Sequence, residues 1–416
     1  MWDPYADFKK FVLANGLEIF ISHWSGKPWI KLGCIVHAGS FHDPSDGDGV
    51  AHFVEHLVSE NAPVSLEDME YFFQHLGGGC DFGSTRIFDA RYTFKIPANV
   101  IHLQSGLQYF SDMLLGSNLI KHIEEERDII IQEWHDRHTV QCFYDEILHQ
   151  NTVVFDGFNL AKPYLILGSV SSLNEMSQSV LQDFYDEYYV PSNMSLVVVT
   201  GLPCDQVVEI IGKSDFGQSC TYFRTEIPNS VTSVHPLRET CRKMCMSEHG
   251  IRAIDRCLYR NAGKVPHMPN QLVVLILREM LNDMIFKEVR GKRGVTYNFA
   301  SFDRFLGYFT EITFEGWVEF GAERVISDIV KNVINNINQK EELFDKIKEA
   351  FIQNLKMIDV NGEGLRNRTM SDIANSRRII SAQEEIEQFR AITFDDIIYI
   401  ASFLSPEYRY EYIQVP

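Results

Sequence analysis

Five residues, His52-Phe53-Val54-Glu55-His56, restrict this chain more than any other feature in it. They lie in a stretch from Val50 to Ser59 whose apolar spacing predicts a helix. On a helix, positions i, i+3 and i+4 share one face, so both imidazoles and the carboxylate project the same way. The neighbours Ala51, Phe53, Val54 and Leu57 are apolar, so the helix belongs in an apolar surround. A single His on a helix is usually a surface residue or a satisfied core residue. Two His and a Glu buried together without a shared partner would cost several kcal/mol. A metal ion removes that cost: two His four apart can bind one zinc, and the intervening Glu can take a proton from metal-bound water.

A catalytic zinc commonly has three protein ligands and one open position. The stretch Ile123 to Asp136 predicts a helix with Glu126 and Glu133 seven residues apart on one face, interleaved by Ile129, Ile130 and Ile131. A carboxylate on such a half-buried helix needs a partner. Spacing alone leaves either Glu as the third ligand and the other as a group that orients a ligand or the water; solvated carboxylates are the bland alternative.

The order of elements suggests how this helix is carried. Phe11 to Ser22 holds Asn15-Gly16 between apolar runs, a hairpin signal, and Trp29 to His37 is an Ile- and Val-rich strand. A Gly/Asp/Pro/Ser loop from Gly39 to Gly49 follows. Leu66 to Leu76 is a helix entered at Ser65 and stopped at Gly77-Gly78-Gly79. One strand with a polar break is expected from Asp81 to Ile96, then helices over 99–115 and 119–138. Within Tyr189 to Thr200, Ser195-Leu196-Val197-Val198-Val199 reads as a buried strand. The second half echoes the first: Tyr308 to Phe314 leads into a helix over 320–337 and a charged helix over 341–357, as Arg91 to Ile96 leads into its own pair. This spacing of about 220 residues suggests a duplicated α+β domain. The expected boundaries are a first domain over 1–217, a linker over 218–237 and a second domain over 238–416.

Composition narrows the partners. With 38 basic and 57 acidic residues the net charge is −19, and no basic tract stands out, which makes nucleic acid and anionic membrane poor partners. No stretch reaches the roughly 18 apolar residues of a membrane span. The eight Cys are scattered, and the nearest pair, Cys241 and Cys245, has no second pair beside it. The start Met-Trp-Asp-Pro-Tyr-Ala-Asp lacks the basic and apolar regions of a secretory signal. Free thiols in a reducing compartment fit best, so a cytoplasmic location is expected.

The segment Gly39-Ser40-Phe41-His42-Asp43-Pro44 through Gly49-Val50-Ala51-His52-Phe53-Val54-Glu55-His56-Leu57 resembles the signature of the pitrilysin family, inverzincin metallopeptidases that include insulin-degrading enzyme and the mitochondrial processing peptidase. Leu76-Gly77-Gly78-Gly79 before a strand and Tyr188 to Gly201 also resemble that family, so the likeness covers nearly the whole chain. In the family a Glu stands about 77 residues after the second His, with another Glu seven before it; those places hold Glu133 and Glu126 here. The resemblance therefore implies His52, His56 and Glu133 as ligands of one zinc ion per chain, Glu55 as the base and Glu126 as a supporting carboxylate. It matches Arg290 and Tyr297 to a pair that contacts substrate or stabilises the tetrahedral intermediate. It implies a zinc-dependent endopeptidase acting on short or unfolded peptides.

The architecture implied is two homologous domains, each an antiparallel-rich sheet packed against helices, together forming half of a clamshell chamber. The second half has no H-x-x-E-H and shows Gln353-Asn354 near the place of Glu133, so it resembles the metal-free partner domain. Four such domains close a chamber, which implies a homodimer with composite sites, or alternatively a heterodimer with a metal-free relative. The expected substrate strand is Asp81-Phe82-Gly83-Ser84. Here the sequence departs from the family's usual Asn-Ala, which Asp81-Phe82 replaces, leaving peptide preference open. Two other functions share this fold: an inactive structural or scaffolding subunit, and a zinc-stabilised binding module. The complete set His52, Glu55, His56 and Glu133 favours the enzyme.

Overall fold

A computed structural model of the chain describes residues 3–44, 47–116, 119, 121–137, 166–219, 242–246, 256–266, 271–289, 299–305, 309–319, 321–357, 361–405 and 409–415. They fall into two compact units, one from Met1–Arg137, Lys162–Glu226 and Asp359–Ala382, the other from His138–Ala161, Ile227–Ile358 and Gln383–Pro416. The linker expected over 218–237 lies outside the described residues beyond Ser219.

The first unit is built on six strands: β1 (Lys9–Val12), β2 (Glu18–His23), β3 (Trp29–Val36), β4 (Gly79–Thr85), β5 (Ala90–Pro97) and β6 (Met194–Thr200). Their order across the sheet is β1-β2-β6-β3-β5-β4. Asn15-Gly16 does join β1 and β2 as an antiparallel hairpin, with Gly16 at φ 87°. β6 lies between β2 and β3 and is buried along its whole length, as an uninterrupted Leu/Val run requires. The strand expected over 81–96 is two strands. The chain turns back at Arg86 to Asp89, where the Arg86 N–H donates to the Asp89 carbonyl at 2.8 Å, and β4 and β5 pair antiparallel. The polar break was the turn of a hairpin, and period-2 patterning alone does not distinguish the two.

Four helices are interspersed among these strands, two between β3 and β4 and two after β5: α1 (Val50–Glu60), α2 (Leu66–His75), α3 (Val100–Leu115) and α4 (Ile123–Arg137). α1, α3 and β3 share the main core, through Phe53, Val54, Leu57, Leu103, Phe110, Leu32 and Cys34. The helix Gly362–Ser376 covers the opposite face of the same sheet, with Met370 and Ile373 against Phe20, Ile35 and Val197. Gly33 makes that approach possible, since a Cβ there would stand 2.3 Å from the Met370 sulfur.

The second unit has five strands: β7 (Arg242–Met246), β8 (Arg256–Pro266), β9 (Phe299–Phe305), β10 (Phe309–Glu319) and β11 (Arg409–Val415), in the order β7-β11-β8-β10-β9. Leaving β1 aside, this repeats the first sheet strand for strand. In each, a late strand is inserted between the first two, parallel to one neighbour, while the other pairings are antiparallel. The α+β duplication read from the sequence is therefore present in the topology. Helices Glu323–Asn335 and Glu341–Lys356 stand where the echo of the first half placed them.

The entry to α1 sets where its side chains point. The Asp43 carboxylate accepts from the N–H groups of Gly49 and Ala51, each at 2.8 Å. Gly49 sits at φ 85°, and a Cβ there would lie 2.7 Å from the Leu167 carbonyl oxygen. We expect Gly49→Ala to destabilise the protein by about 2–4 kcal/mol, from left-handed strain plus the backbone clash. Thermal unfolding measures it; an unchanged midpoint would show that α1 is not anchored in this way.

Candidate metal centre

α1 is buried almost all round, and His52 is only 6 % exposed. Its polar face meets α4, which packs on α1 and brings two carboxylates one above the other. Glu133 Oε2 lies 3.6 Å from His52 Nε2 and 3.6 Å from His56 Nε2. Both separations are too long for good hydrogen bonds. They suit three ligands of one tetrahedral ion, which stand about 3.4 Å apart when each bond is about 2.1 Å. His52, His56 and Glu133 each offer one ligand atom within 4.8 Å of the others, and among the described residues no other His, Cys, Asp or Glu trio does so. The donor set, two imidazole nitrogens and one carboxylate oxygen, is one that zinc accepts.

Glu126 takes the other side of His56. It is 4 % exposed, and its Oε2 lies 3.0 Å from His56 Nδ1. This contact fixes the ring and leaves Nε2 aimed at Glu133. The two α4 carboxylates thus have different places: Glu133 faces both imidazole Nε2 atoms, and Glu126 stands behind one ring. Burial disfavours charge on His56, but the hydrogen bond to Glu126 and the nearby Glu133 carboxylate outweigh it and raise its pKa to about 9.

Glu55 points from α1 to the sheet edge. Its Oε2 accepts from the Thr85 N–H at 2.9 Å and the Thr85 hydroxyl at 2.8 Å. Burial raises its pKa; the Thr85 bonds and His56 pull the other way without cancelling that rise. A half-buried carboxylate with raised proton affinity is suited to accept a proton at neutral pH. Gly83 touches the same carboxylate, since a Cβ there would fall 2.4 Å from Glu55 Oε1.

The structure therefore gathers His52, Glu55, His56, Glu126 and Glu133 into one site. Asp81, Phe82, Gly83 and Ser84 lie on β4, the outermost strand of the sheet, with a register shift between Asp81 and Ser84. Phe82 is half-buried against the core, and its carbonyl accepts from the Ser59 hydroxyl of α1 at 2.9 Å. Arg290 and Tyr297 lie outside the described residues. Sequence reasoning missed Thr85. Its one signal is position: it stands two residues after Gly83, on the same face of β4 by strand periodicity.

A helix-borne His/Glu/His set on a duplicated α+β sheet defines a metallopeptidase-like fold, and comparison with known proteins places it. Residues 19–160 match the family described as Insulinase (Peptidase family M16), and residues 175–351 match the Peptidase M16 inactive domain. The chain belongs to the M16 peptidase family, as the His52–His56 segment implied. It is 29 % identical over 224 residues to the mitochondrial-processing peptidase subunit beta of Caenorhabditis elegans, covering 51 % of this chain and 46 % of that protein. It is 28 % identical over 244 residues to cytochrome b-c1 complex subunit 1 of Bos taurus, covering 58 % and 48 %. The chain thus spans about half the length of these curated relatives. A protease from Helicobacter pylori shares the fold across 98 % of this chain and 99 % of its own, at a TM-score of 0.79 and 17 % identity.

A metal ion can use His56 only after its proton leaves. At pH 7, below a pKa of about 9, the metal-free ring holds that proton. Zinc binding at pH 7 is therefore expected to release about one proton per ion from His56, falling towards none above pH 9. Calorimetry in buffers of different ionisation enthalpy reads this number; no release at pH 7 would contradict the His56–Glu126–Glu133 electrostatics.

Proposed function

We propose that this chain is a zinc-dependent endopeptidase that cleaves short or unfolded peptides. The observation that carries the reading is the convergence of His52, His56 and Glu133 on one point with the Glu55 carboxylate alongside. The bound ion would acidify a water and polarise the scissile carbonyl. Glu55, held by Thr85, takes the proton of the attacking water and returns it to the leaving amine. Glu126 keeps His56 oriented throughout. The peptide adds as a strand along β4 at Asp81 to Ser84, where backbone pairing asks little of its sequence. Arg290 and Tyr297 supply the oxyanion contacts, lent across a homodimer. Light scattering on the purified chain tests that last point: an active, stable monomer would refute the shared site.

The similarity to a respiratory-complex subunit keeps one competing reading in play, a subunit that has the fold and no turnover. The intact ligand set and a base fixed at its side favour the enzyme. Glu55→Gln is expected to retain zinc and to lower turnover of a quenched peptide by about 10²- to 10⁴-fold. Zinc content is measured beside the rate. Wild-type rates in the variant would remove Glu55 from its role, and zinc-loaded wild-type chain that cleaves no peptide in a broad library would favour the non-enzymatic subunit.

A further inference from the structure

Behind β4, on the face of the sheet that the helix Gly362–Ser376 covers, lies a cavity of about 460 Å³. Arg91, Thr93, Phe94 and Lys95 of β5 line it, while Tyr92 and Ile96 belong to the core alone. Asp81 and Ser84 of β4 reach it from the edge, and Arg366 closes it from the helix.

Three of its four positive groups, Arg86, Lys95 and Arg366, lack counter-charges in contact among the described residues. Arg366 is 6 % exposed, yet its Nε and Nη2 both donate to one neutral acceptor, Asn367 Oδ1, at 3.1 and 2.9 Å. Its Nη1 has no hydrogen bond, and no carboxylate is within bonding distance of its guanidinium among the described residues. Burial lowers the Arg366 pKa, and the charges of Glu363 and Asp81 offset only part of that. Arg86 and Lys95, both at the cavity, make no side-chain hydrogen bond or ion pair among the described residues. Arg91, by contrast, is satisfied by Asp89 and Ser371. The acids at the cavity are exposed: Asp81 on the edge strand, and Glu363, whose side chain is 58 % exposed and leans to Lys31.

A buried guanidinium that spends two donors on one amide oxygen leaves a planar fork open, and carboxylates fit such a fork. A peptide paired with β4 places alternate side chains on opposite faces of the sheet. One set falls on the α1 face beside Gly83, Thr85 and Glu55; the other falls over this cavity. We propose that the cavity is a specificity subsite that takes the carboxylate of an Asp or Glu side chain from a peptide docked along β4. The inference rests on the reading of β4 as the docking edge.

Fluorescence anisotropy tests it on the full chain carrying Glu55→Gln, so that bound peptide is not consumed. The probes are labelled octapeptides in which one Glu is moved position by position through a neutral sequence, each paired with its Gln counterpart. One register position should bind its Glu peptide about tenfold more tightly than its Gln twin, the scale of one charge-assisted contact. Arg86→Gln combined with Lys95→Gln, both at exposed side chains, should cut that ratio below about threefold, and Arg366→Gln should abolish it. The surface pair keeps the test meaningful if Arg366→Gln unfolds. Equal binding of Glu and Gln peptides at every position, a preference that survives the surface pair, or no peptide binding at all would each overturn the proposal. Glu preference without hydrolysis by the wild-type chain would refute the peptidase and spare the subsite; hydrolysis without Glu preference would do the reverse.

Discussion

The structure turns on two carboxylates set against two imidazoles inside an apolar core. α1 is buried because its Val, Phe and Leu residues are, and that burial carries His52 and His56 with it. Ionisable groups removed from water are costly unless compensated, by several kcal/mol each. α4 supplies the compensation, with Glu126 behind His56 and Glu133 between both rings. Arg127 fastens α4 in turn: its guanidinium lies 5.5 Å over the Phe53 ring and donates to the Leu173 and Met176 carbonyls. Remove the shared partner and the most buried helix of the unit is left holding uncompensated charge.

β4 is the second element on which the proposed function depends, because it belongs to two environments at once. Towards α1, Thr85 holds Glu55, Gly83 leaves room for its carboxylate, and the Phe82 carbonyl is tied to Ser59. Away from α1, Asp81 and Ser84 border the basic cavity. The shift in register between Asp81 and Ser84 falls between these contacts, where a bulge re-aims side chains at a sheet edge. An edge strand with one unpaired side can align a peptide while presenting both faces to its side chains.

Duplication shows which parts of the sequence serve the fold and which serve chemistry. The second sheet repeats the strand order and directions of the first, and its own core forms from Tyr259, Leu277, Phe314 and Ile400. Its helix Leu272–Phe286, reading LVVLILREMLNDMIF, carries the apolar pattern without the His/Glu/His set. Core periodicity is enough to keep a fold; a metal site needs individual residues, and one change removes it.

The sequence by itself determined what lies within a few turns of chain. Helical periodicity put His52, Glu55 and His56 on one face, Asn15-Gly16 made a hairpin, and the Val197 run made a central strand, because each depends on neighbours in sequence. Spacing reached the two carboxylates of α4 but not their roles, since it gives Glu126 and Glu133 the same face, and it took the family offset to single out Glu133. The packing of α4 on α1 supplies the geometry, with Glu133 between the Nε2 atoms and Glu126 on Nδ1. Tertiary structure alone brought Thr85 to Glu55 across 30 residues and Arg366 to the back of β4, because such contacts exist only once distant segments share a core. The His/Glu/His motif was legible as a local pattern; the strand and cavity around it are products of long-range folding.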